Sequence, residues 1–136
     1  MLKKDAGSMS SEAPIYYLFI VFLISMVLGI MPVVSEYMKL DRMATEVLRE
    51  AELSGNTGVT VMERYEDVAE RYGIEPKSIS FEGTKYIGST KNVQINDEIE
   101  VVITYDYKWF STMLDGGGIN QQLSARASGR SGVYYK

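Results

Sequence analysis

Residues 13–34 read Ala13-Pro-Ile-Tyr-Tyr-Leu-Phe-Ile-Val-Phe-Leu-Ile-Ser-Met-Val-Leu-Gly-Ile-Met-Pro-Val-Val34. The stretch holds 22 residues without a charge, 18 of them hydrophobic. At ~1.5 Å rise per residue a helix of that length crosses the ~30 Å hydrocarbon core of a bilayer. A secretory signal peptide is the competing reading, with Val33-Val34-Ser35 as its cut. The apolar region of such peptides runs only about 7–15 residues, so the length favours an uncleaved span over residues 8–34. Flanking cations do not orient it: Lys3 and Lys4 precede the run, and Lys39, Arg42 and Arg49 follow it.

Outside this run the chain has an ordinary water-facing composition. It has 136 residues, a formal net charge of −4, and neither Cys nor His. Without Cys there is no disulfide, thiol nucleophile or zinc–thiolate site. Without His the commonest general base and transition-metal ligand are gone. The acidic balance argues against nucleic-acid contact. Three classes remain: a membrane-anchored structural protein, a secreted binding module, or an enzyme working with carboxylates alone. The part beyond the span, residues 35–136, is long enough for one small head.

The helix is expected to continue past the membrane. Tyr37, Leu40, Ala44, Val47 and Ala51 recur in steps of three and four, with Met43 and Leu48 widening the stripe. Charged residues fill the other face, so residues 35–53 predict an amphipathic helix that Gly55 stops. Met26, Met31, Met38 and Met43 are read as adaptable packing groups. A second helix is expected over 60–72, opened by a Thr60–Glu63 capping box and closed by Gly73, with Pro76 behind it.

From residue 77 to 135 the period changes to two. Ile99, Val101, Ile103, Tyr105, Tyr107 and Trp109 alternate with Glu98, Glu100, Val102, Thr104, Asp106 and Lys108. That is a strand with one buried face. Residues 78–82 form a shorter strand, and Val93 and Ile95 precede a turn at Asn96-Asp97. Beyond a loop at residues 115–118, Ile119, Leu123, Ala125 and Ala127 suggest a return strand, extended by Val133, Tyr134 and Tyr135. The expected fold is α+β: a long N-terminal transmembrane and amphipathic helix, a second short helix, and a C-terminal antiparallel sheet of about three or four strands with the helices on one face.

The residues ahead of the span are the most specific. Gly7 is followed at the fifth place by Glu12, directly before the apolar run and behind the basic pair Lys3-Lys4. A carboxylate at the membrane is costly unless it is paired. Its plain place is the headgroup layer at the helix start, with Ser10 or Ser11 as cap and Pro14 in the first turn. The spacing also resembles the type IV prepilin signature. The resemblance implies a leader peptide, residues 1–7, cut off by a prepilin peptidase between Gly7 and Ser8. Glu12 would then be neutralised in lipid by the free amine of a neighbouring subunit, which sets register.

With the layout of the whole chain added, the sequence resembles the TadE-like pseudopilins of tight-adherence pili. It resembles more closely still a related bacterial pilin-like family of unassigned role, on residues 2–7, 12–17 and the ending 125–129 with 133–136. Tad-type sequences commonly have an apolar residue where this chain has Ser11. The resemblance implies a structural subunit without enzyme activity or cofactor. Its partners would be the prepilin peptidase, other pilin or pseudopilin subunits, an inner-membrane assembly platform and the lipid bilayer. The N-terminus would be cytoplasmic and the head extracytoplasmic, either anchored in the membrane or assembled in a surface filament. The alternative reading is a signal-anchored protein whose head binds a partner.

Other chemistry is weakly signalled. Asp97, Glu98, Glu100, Asp106 and Asp115 could hold a hard cation or serve a carboxylate hydrolase, but they are more simply an exposed strand face and turn. No EF-hand spacing, nucleophile elbow or phosphate-binding P-loop occurs. Ser128-Gly129-Arg130-Ser131-Gly132 is read as a bulge or turn, and Tyr134 and Tyr135 as packing against the sheet.

Overall fold

A computed structural model describes residues 6–109 and 118–136. Lys3, Lys4 and most of the expected leader, together with the loop residue Asp115, lie outside the described residues. The chain divides into two units, Met1–Ser35 and Glu36–Lys136. One helix, α1 (Ala6–Ser54), contributes to both. It is followed by α2 (Val59–Tyr72) and three strands, β1 (Ser78–Ser80), β2 (Glu98–Trp109) and β3 (Ile119–Arg130). The α+β arrangement expected from the two hydrophobic periods is therefore present.

Helix α1 starts ahead of the expected Ser8. Ser10 and Ser11 consequently lie inside it rather than at its cap, and Pro14 and Pro32 are both interior. Each proline removes one hydrogen bond to the carbonyl four residues back, a cost that packing or lipid must offset.

In the second unit α1 supplies the core. Leu40, Met43, Ala44, Val47 and Ala51 are fully buried, as the three-four stripe requires. Tyr37, at the head of that stripe, is exposed, as are Met26, Met31 and Met38. Met43 alone among those four methionines packs in the core.

Two glycines end the helices as expected, each with positive φ: Gly55 after α1 and Gly73 after α2. Gly55 N–H donates to Ala51 O at 2.8 Å, and Ser54 Oγ donates to Glu50 O at 2.8 Å. The start of α2 differs from expectation. Gly58 occupies the cap and no side chain caps it, so Thr60 is already the second helical residue and the Thr60–Glu63 box does not form. The entry is fixed from outside the helix. Asn56 pairs with Asn92 as an isolated bridge, Thr57 N–H donates to Lys91 O, and Gly58 N–H donates to Asn56 Oδ1.

The sheet is antiparallel in the order β1-β2-β3. Ile79 lies opposite Ile103, and β2 pairs with β3 along its whole length, from Glu98 opposite Arg130 to Trp109 opposite Ile119. Opposite residues share a face. Ile99, Val101, Ile103, Ala125 and Leu123 thus form one buried surface. The segment around Val93 stays outside the sheet: Val93 N–H donates to Gly55 O at 2.7 Å. Val133, Tyr134 and Tyr135 do not extend β3, because the chain leaves the ladder after Arg130.

Candidate functional site

The apolar segment is one candidate site. Every large hydrophobic side chain from Ile15 to Ile24 is exposed, including Phe19 at 60% and Phe22 at 65%, and exposure continues through Leu28 and Met31. A helix that is apolar all round, with no protein over it, belongs in lipid or in a bundle of other helices. It is long and apolar enough to cross a membrane once. Gly7 and Ser8 fall in the first turns of α1, and Glu12 follows one turn after Ser8, its side chain exposed. The helix thus sets the three residues singled out from sequence along a single turn and a half, at the border of the apolar surface.

The opposite end of α1 carries a feature that sequence reading missed. Glu52 binds three successive parts of the chain's ending. Its Oε1 accepts from Arg130 N–H at 3.1 Å, its carbonyl accepts from Gly132 N–H at 2.9 Å, and its carboxylate occupies the space beside Gly129 where a Cβ would stand. The tail then continues over Gly55. A Cβ there would come within 2.5 Å of Val133 Cβ. Tyr135 is tied on both sides: its O–H donates to Ser54 O at 3.1 Å, while its backbone exchanges hydrogen bonds with the Gln94 side chain at 2.7 and 2.9 Å. Buried Ser131 donates through Oγ to Val93 O. Tyr135 therefore packs against the end of α1 rather than against the sheet, and Tyr134 is 64% exposed. The two glycines at 129 and 132, within an otherwise strand-like ending, were the only sequence signal of this close approach.

Helices α1 and α2 are joined by Glu46. Its Oε2 lies 2.9 Å from Arg64 and 3.3 Å from Arg71, and its Oε1 accepts from Tyr72 O–H at 2.7 Å. That hydrogen bond, more than burial, raises the Tyr72 phenol above its ordinary value. Asp67 pairs with both arginines from within α2. Beside this cluster lies an open depression of about 430 Å³ lined by Glu46, Arg49, Glu50, Leu53 and Arg64. Of its charged residues, Glu46 and Arg64 pair with each other.

The acidic residues considered for cation binding are dispersed. Glu100 pairs across the ladder with Arg126 at 3.2 Å, and Asp106 pairs with Lys77 at 2.8 Å. Asp97 turns the chain between Gln94 and Ser131 through its backbone. Among the described residues no three carboxylates come together as a metal site. Glu98, Glu100 and Asp106 lie along β2 and Asp97 in the turn before it.

A helix that is apolar all round in its first half and amphipathic in its second, joined to a small α+β head, defines the class. The chain belongs to DUF4320, a family defined by a domain of unknown function, whose model matches residues 17–136. No curated protein and no solved structure matches it.

Proposed function

We propose that the protein is a pilin-like structural subunit, held in the membrane by α1 and matured by cleavage between Gly7 and Ser8. The observation that carries this reading is the continuity of α1. The helix that presents bare apolar surface from Ile15 to Met31 is the same one that supplies Leu40, Met43, Val47 and Ala51 to the core of the head. A subunit that must pass from lipid into a helical filament core needs such a stem. Its apolar surface is satisfied first by acyl chains and then by neighbouring helices, without refolding of the head.

Glu12 supplies the register in this reading. A carboxylate at the rim of an apolar helix carries a desolvation penalty that only a counter-charge removes. The amine of a neighbouring Ser8, freed by processing, is such a counter-charge. The N-terminus then faces the cytoplasm and the head the opposite side, and the partners are the peptidase, like subunits and the assembly platform.

Mass analysis of the N-terminus of the protein from native membranes tests the proposal. A chain starting at Ser8 supports it. An intact Met1 replaces it with a signal-anchored protein whose head binds a partner, and a chain starting at Glu36 replaces it with a secreted head. Gly7→Ala should accumulate the precursor, and Glu12→Ala should leave processing intact while preventing assembly.

A further inference from the structure

Strand β3 (Ile119–Arg130) is the outer strand of the sheet. In an antiparallel ladder each residue turns its N–H and C=O to one side, and successive residues alternate. Glu98, Glu100 and Thr104 turn theirs away from β3. Lys85 N–H donates to Glu98 O, Lys77 N–H donates to Thr104 O at 2.7 Å, and Glu100 N–H donates to Thr84 Oγ1. The odd-numbered residues of β2 therefore bond to β3. The register, from Ile99 opposite Gly129 to Trp109 opposite Ile119, gives them odd-numbered partners. The even-numbered residues of β3 face outward. Arg130 obeys this rule, since its N–H leaves the ladder and reaches Glu52 Oε1.

Glu52 thus closes the outer edge at residue 130. Asn120, Gln122, Ser124, Arg126 and Ser128 form the rest of it, each with one outward donor and one outward acceptor. Among the described residues no strand lies on that side. The edge also lacks the devices that keep strands apart. Ile119–Arg130 contains no proline, lysine or acidic residue, and it pairs one to one with β2, without a bulge.

The row is its own complement. A second copy turned by two-fold symmetry offers donors to acceptors and acceptors to donors along its whole length. Only registers that set even residues opposite even residues can bond. The open row is centred on Ser124, so setting Ser124 opposite Ser124 of the copy uses every member. Gln122 then meets Arg126 of the copy, and Asn120 meets Ser128. No like charges face each other, as they would with Arg126 at the centre. Charge does not call for an acidic strand instead. Arg126 already has Glu100 at 3.2 Å, and Arg130 donates to Asn96 Oδ1 at 3.1 Å. On the other face, buried Leu123 and Ala125 meet Ala125 and Leu123 of the copy, which carries the apolar stripe across the junction.

We propose that two copies of the chain join through the outer edges of their β3 strands, antiparallel about Ser124, into one continuous sheet. The pairing goes beyond the role proposed above and depends neither on processing at Gly7 nor on the membrane span.

The absence of cysteine makes the test direct. The full chain, purified in detergent micelles, is given one cysteine and oxidised mildly. Hydrogen-bonded strand partners have Cα atoms ~5.5 Å apart, within disulfide reach. Ser124→Cys should form covalent dimer in at least fivefold the yield of Ser128→Cys or of Ser78→Cys, an exposed site on β1. Ser128→Cys mixed with Asn120→Cys should restore the yield. Ser124→Lys and Ser124→Glu, changes at an exposed position, should each fold and be monomeric by light scattering, and their mixture should dimerise. In native membranes a photo-crosslinker carried at Ser124→Cys should capture the same chain. Equal yields at Ser124, Ser128 and Ser78, a monomeric parent chain, or dimers that survive Ser124→Lys overturn the pairing. So does a dimeric parent that gives no Ser124 cross-link, because it associates through another surface such as α1. Exclusive capture of a different polypeptide overturns the choice of a second copy.

Discussion

The carboxylate of Glu52, near the end of α1, fills the space beside the α-carbon of Gly129 and accepts the hydrogen bond of the next residue's N–H. Strand propensity alone would favour almost any residue over glycine at 129. Close approach of helix and strand reverses that preference. Gly129→Ala should push Glu52 aside, break its bond to Arg130 and crowd Leu48, whose Cδ2 lies 3.3 Å from the added carbon. A loss of about 1–2 kcal/mol is expected. In a Glu52→Ala background the same substitution should cost less than half as much. Thermal melts of the four chains of this cycle check the coupling.

Gly55 and Gly73 share nearly the same backbone conformation, φ +65 and +64, but not the same surroundings. At Gly73 an added Cβ meets nothing within 4 Å, whereas at Gly55 it meets Val133 and the Tyr135 ring. Gly73→Ala should therefore cost only the left-handed penalty of roughly 1–2 kcal/mol. Gly55→Ala should cost about 1–3 kcal/mol more, because overpacking is added to it. Comparison of denaturant midpoints measures the difference, and equal losses at the two sites would contradict the tail packing.

Glu46 holds α2 to α1 through two arginines and a phenol, all of them partly solvated. Ion pairs of that exposure contribute only about 0.2–1 kcal/mol each and are screened by salt. Glu46→Ala should destabilise the head modestly, and the difference from the parent should shrink as salt is raised to about 1 M. Melting curves at two salt concentrations read this out.

Stability should fall in alkali. The phenols of Tyr65, Tyr72 and Tyr105 are all raised above 10.0, Tyr65 and Tyr105 chiefly by burial and Tyr72 chiefly by its bond to Glu46. A raised folded value means that the unfolded chain loses its phenolic protons first. The unfolded state then binds fewer protons, and stability declines with pH. Their contribution is complete below the ordinary phenol value of about 10 and is lost as pH rises through the raised folded values. With no histidine in the chain, no side chain of that type bends the curve near neutrality. Melts from pH 7 to 11, with phenolate absorbance followed in parallel, check the sign. Tyr72→Phe should flatten the decline.

What could be read ahead of the structure rests on neighbours in sequence. The charge-free run of residues 13–34 identifies a membrane-length helix, because bilayer thickness and helical rise are fixed quantities. The period of two from Ile99 to Trp109 identifies the central strand, since alternate side chains must reach one core. Gly55 and Gly73 mark helix ends, because a left-handed residue is needed there whatever packs outside. The capping box at Thr60 was misread for a reason of the same kind. Its pattern is local, but the entry to α2 is set by Asn56 and Asn92 across the fold.

Tertiary structure decided the rest. Nothing in the local sequence links Glu52 to Arg130, 78 residues later, or Gln94 to Tyr135, 41 residues later. The ending of the chain reads as further strand by pattern, yet it leaves the sheet to bind the end of α1. The acidic residues that look clustered in sequence alternate along a strand and turn, where separate cations neutralise two of them. The sequence by itself determined which segments are helix, which are strand and which is apolar enough to cross a membrane, because backbone period and solvent preference are local properties. Which segments touch was decided only in three dimensions, because a close approach such as Glu52 to Gly129 depends on the shape both partners acquire once folded.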